Sequence, residues 1–164
     1  MKNLACALVF FASSANAATP WEDYLDEPTS ANAALVTDIS YSAAVAGGYY
    51  AHDLAILNIQ VLAADPQAFR LAFRLYEKSD GGLAEELGAI LAGVIRANPE
   101  FFLRQVKVLD RRCSDFQWIV NTAGLVYVDR PKARAYEIEK RKFALQSIAD
   151  SSLFRLRDEC ASQL

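Results

Sequence analysis

Two blocks of this chain superimpose when shifted by 33 residues. Ala51 falls on Ala84, Leu54 on Leu87, Val61 on Val94 and Ala64 on Ala97, then Pro66 on Pro99 and Phe69 on Phe102. In each block a stretch with helical apolar spacing runs into Asp65-Pro66 or Asn98-Pro99. An Asp or Asn side chain caps the first turn of a helix. Proline fits the first helical position, where no amide hydrogen is needed. The unit is therefore helix, tight turn, helix, with first helices expected over 50–64 and 83–97. Repeats of this length bury one face of each hairpin against its neighbours, which commits the chain to an all-α fold.

A third copy is fainter. Its first helix is expected over 116–128, its turn at Asp129-Arg130-Pro131 and its second helix from Pro131 towards Cys160. Upstream, Thr19-Pro20-Trp21-Glu22 combines an N-cap, a proline and a capping-box glutamate. The short helix that follows puts Trp21, Tyr24 and Leu25 on one face and stops before Pro28. Another helix is expected from about Asn32 to Ala46, ended by Gly47-Gly48. Gly81-Gly82 reads as a connection between hairpins. Gly88, Ala92 and Gly93 lie in the stripe of Leu83, Leu87, Ile90, Leu91, Val94 and Ile95, where small residues let a neighbouring backbone approach. The layout resembles HEAT-type repeats at the level of architecture, which implies stacked helical hairpins in a short superhelix. An irregular helical bundle with recurring Asp/Asn-Pro caps is the alternative. The resemblance brings no functional residues with it.

The N-terminus reads as a cleavable signal peptide, residues 1–17. Lys2 is followed by the apolar run Leu4 to Ala12, and Ala15-Asn16-Ala17 supplies the small residues of a cleavage site. The run is too short to span a bilayer, which takes about 20 residues. Cys6 lies inside it, too early for a lipoprotein, and leaves with it. The expected product is one helical domain, residues 18–164, in the periplasm or outside the cell, with no transmembrane segment. Only Cys113 and Cys160 then remain, an even number that suits a disulfide in an oxidising compartment. That bridge closes a loop of about 48 residues, worth up to about 4 kcal/mol through the unfolded chain.

Charge is segregated along the chain. Residues 18–64 contain Glu22, Asp23, Asp26, Glu27, Asp38 and Asp53 but no lysine or arginine. Basic residues concentrate on the second helix of each proposed hairpin: Arg70, Arg74 and Lys78 at helical spacing on the first, Arg104, Lys107 and Arg111 on the second, and Lys140, Arg141 and Lys142 on the third. If the hairpins stack, Arg70, Arg74, Arg104, Lys107, Lys140 and Arg141 form a ridge that suits an acidic protein partner. A solvated face with local ion pairs, or an acidic N-terminal segment lying on the ridge, are the alternatives. A formal net charge of −3, which becomes one unit more negative without Lys2, and the lack of a recognised motif argue against nucleic acid.

The residues offer no set for catalysis, a cofactor or a metal. His52 is the one histidine, and neighbours on a helix such as His52-Asp53 do not face each other. Glu85-Glu86 is explained by helix-start electrostatics. Phe101-Phe102 cannot both point the same way on a helix, so one faces a groove or both are covered by adjoining helices. The function expected is an exported protein-binding module, such as an inhibitor or immunity-type protein. A small exported hydrolase using carboxylates from separate helices, or a structural accessory of the envelope, is the alternative.

Overall fold

The computed structural model describes residues 18–39, 52–121, 127 and 129–164. The signal-peptide region, Gly47-Gly48, Tyr49 and Tyr50 lie outside them, as do the side chains of His52 and Asp53. Every regular element among the described residues is helical. In chain order these are α1 (Pro20–Asp26), α2 (Ser30–Leu35), α3 (His52–Leu62), α4 (Pro66–Lys78), α5 (Gly81–Ala97), α6 (Pro99–Val108), α7 (Gln117–Val120), α8 (Pro131–Gln146) and α9 (Phe154–Ser162). Short 3-10 turns at Cys113–Phe116 and Ser151–Leu153 lead into α7 and α9.

The expected caps are in place. Thr19 and Glu22 close a capping box on α1, and Trp21 and Tyr24 are buried. Asp65 accepts from the Gln67 and Ala68 amides, and Asn98 from the Phe101 amide. The two hairpin turns share cap and proline but differ in geometry. After α3 the Asp65 amide reaches back to the Gln60 carbonyl and the Ala64 amide to that of Val61, with Ala64 left-handed at φ 64. This is a Schellman closure. After α5 the Asn98 amide simply donates to the Val94 carbonyl, and the helix ends at Ala97 as expected, whereas α3 ends at Leu62, two residues short of its expected end.

Four boundaries differ from the expected ones, each for a physical reason. The helix expected over 32–46 is Ser30–Leu35 where described, capped by Thr29. It stops because Arg74 takes the Ala33 and Val36 carbonyls, while Lys78 takes that of Thr37 at 3.1 Å. Gly81-Gly82 forms the start of α5 rather than a connection, and Gly81 has φ +51. Over the expected 116–128 helix, only Gln117–Val120 is α-helical among the described residues, since Arg141 caps the Val120 carbonyl at 2.9 Å. The long helix from Pro131 ends at Gln146, where the Ser147 hydroxyl turns back to the Ala144 carbonyl. Asp150 then caps the next turn through the Ser152 amide. The break lets α9 return along α8.

The core is one continuous cluster from Trp21 to Cys160. Its axis is α5, which packs against α3, α4, α6, α7 and α8. Leu87, Leu91, Val94 and Ile95 of α5 are fully buried. Beside them Phe73 stacks on Phe116 at 4.6 Å between centroids, and Phe102 meets Phe69 and Phe116 edge-on. Burial of these side chains contributes roughly 1.5–3 kcal/mol each before chain entropy is subtracted. Phe101 is half-buried with its edge against Phe69, so the Phe101-Phe102 pair is covered by adjoining helices. Among the described residues Gly93 is approached by the Leu62 side chain and by no backbone. No helix among the described residues is long and apolar enough to cross a membrane.

Candidate partner-binding surface

The α6–α7 junction and α9 are locked together by the Cys113–Cys160 disulfide, whose half-cystines lie 47 residues apart in sequence and are both fully buried. Cys113 opens the turn after Arg111-Arg112, and Cys160 follows Glu159. The bridge therefore sets these charged residues against one another. Arg112 lies 3.6 Å from Glu159, which also accepts from the Ser114 amide at 3.4 Å. A second clamp lies on α6. Arg104 bonds Glu100 one turn back and Asp150 across the molecule, each at 2.7 Å. The Asp150 carboxyl is held below its usual range by hydrogen bonds from Ser152, with the Arg104 charge adding to them.

Between these clamps lies a groove of about 630 Å³, lined by Lys107, Asp110, Arg111, Arg112, Ser152, Arg155, Leu156 and Glu159. Four of these carry positive charge and two negative. Arg111 is engaged by Glu77 at 2.8 Å and lies over the Phe73 ring, and Arg112 is engaged by Glu159. Lys107 and Arg155 have no ion-pair partner among the described residues. The groove thus keeps an uncompensated positive field, the condition for attracting a carboxylate-rich segment.

The six residues of the expected ridge occupy different environments. Arg74 is turned inward onto the carbonyls that end α2. This brings the acidic N-terminal segment against α4 through its backbone rather than its carboxylates. Arg104 is spent on Glu100 and Asp150. Arg141 is only 5% exposed and bonds Glu137 and the Val120 carbonyl, so it cannot reach a partner. Arg70 is half-buried on α4. Lys107 lies in the groove, and Lys140 lies over the Tyr136 ring on α8.

Sequence reasoning left Arg112 and Arg155 out of the ridge. The expected disulfide carried the missing signal, because it brings the residues before Cys113 beside those before Cys160. Glu85 and Glu86 are exposed in the second turn of α5, and Glu137, the one buried carboxylate among the described residues, is held by Arg96 and Arg141. No group of three or more potential metal ligands occurs among the described residues. Compared with protein-family models, curated proteins and solved structures, the chain finds no match.

Proposed function

We propose that this chain acts after export as a helical protein-binding module that takes an acidic segment of a partner into the groove between α6 and α9. An inhibitor or immunity-type role fits that reading. The observation that carries it is the groove's charge: Lys107 and Arg155 have no ion-pair partner among the described residues and stand beside Arg111 and Arg112, on walls fixed by the disulfide and the Arg104–Asp150 bond. Export is supported by the Lys2, Leu4–Ala12 and Ala15-Asn16-Ala17 pattern and suits the disulfide. Rigid walls matter because a preformed site loses less entropy on binding.

Cross-linked capture from the exported fraction of the source cell tests this. The parent is expected to recover one defined protein with an acidic exposed stretch, and Lys107→Glu with Arg155→Glu to lose it. Recovery of the same protein by both forms overturns the groove as its site.

A further inference from the structure

Helix α8 presents two distinct stripes. Glu137, Arg141 and Leu145 face the core. Tyr136, Lys140 and Phe143 recur at i, i+4 and i+7 on a separate stripe, and Ser147 continues it. Tyr136 is 57% exposed and Phe143 71%. The Lys140 ammonium sits 5.1 Å from the Tyr136 ring centroid. Arg96, Pro99 and Ala144 complete a groove of about 400 Å³, in which Arg96 is bonded to Glu137 at 2.9 Å and Lys140 has no ion-pair partner among the described residues. Lys132 and Arg134, at the start of the same helix, are exposed.

Exposed aromatic rings interleaved with lysine and arginine suit a membrane–water interface, where rings settle at headgroup depth and cations meet lipid phosphate. Among the lining side chains the Ser147 hydroxyl already donates to the Ala144 carbonyl, which leaves the Tyr136 hydroxyl, Arg96 and Lys140 as the polar groups beside the rings. The stripe selects by sign of charge and apolar contact, which a laterally fluid anionic surface satisfies. We propose that the Tyr136–Lys140–Phe143 stripe docks the protein on an anionic phospholipid bilayer. This docking is independent of the groove between α6 and α9.

Flotation with vesicles of phosphatidylglycerol and phosphatidylcholine, against phosphatidylcholine alone, tests it. Parent and variants are compared in the same full chain, so any contribution of residues 1–17 is common to all. The parent is expected to prefer anionic vesicles at least tenfold and to lose that preference at high salt. Lys140→Ala should weaken anionic binding about fivefold. Tyr136→Ser with Phe143→Ser should abolish flotation with the anionic vesicles while leaving the melting curve unchanged, since both rings face water. Equal partition into both vesicle types, or stripe variants that float like the parent, overturns the proposal. So does capture of a glutamate-rich peptide by the stripe in place of vesicles.

Discussion

Single residues set the local geometry, and two of them make sharp predictions. Ala64 holds φ 64 in the Schellman turn after α3, a conformation that strains any side chain with a Cβ. Ala64→Gly should therefore raise stability by about 1 kcal/mol, read as a shift of the urea midpoint at constant slope. An unchanged or lowered midpoint contradicts the turn. Tyr24 is buried and donates to Gln60. Burial, helped by the Asp65 charge, pushes its phenol up to about 12. The unfolded chain ionises near 10, so this contribution to stability is complete below that value and is lost as pH rises towards 12. Alkaline titration at 295 nm should show Tyr24 ionising late and together with unfolding, and burial also shifts the Tyr76 phenol upward. A full set of tyrosines titrating near 10 in the folded chain contradicts the burial.

Elements were legible where local chemistry decides them. Thr19, Asp65 and Asn98 cap the helices whose starts they announce, because capping needs only a side chain and the next turn. Helix ends were less legible wherever a distant residue decides them. The end of α2 depends on Arg74 and Lys78 some forty residues away, and the end of α7 on Arg141. Such arginines read as surface charge in sequence and act in the fold as caps on carbonyls. Within α5, the small residue Gly93 is a propensity cost without a packing reason. A Cβ there would meet Leu62 at an ordinary 3.5 Å. Gly93→Ala should stabilise the protein by roughly 0.5–1 kcal/mol in thermal or urea unfolding. A loss of stability would show that α3 and α5 pack more closely than described.

At the scale of the molecule, the all-α class was legible from helical spacing throughout, and the disulfide from cysteine parity once Cys6 is set aside. The mutual arrangement of the hairpins was not. Equal spacing in sequence meets unequal turns after α3 and α5, and α5 becomes a hub touching helices beyond its own hairpin. Half of the expected ridge is consequently drawn into structural bonds at Arg74, Arg104 and Arg141, and the groove beside the disulfide takes Lys107 with Arg155 instead. Replacing Cys113 and Cys160 by serine should cost up to about 4 kcal/mol, a fall in melting temperature on the order of 10 °C. The same change should release the Arg112–Glu159 wall and weaken groove binding. Groove binding itself is measured most directly by fluorescence-polarisation titration of a labelled glutamate-rich peptide. The parent should bind saturably, with affinity falling as salt rises, and Lys107→Glu with Arg155→Glu should weaken binding at least tenfold without moving the melting temperature. Binding that is absent, or equal in parent and variant, would contradict the groove as a site for acidic partners.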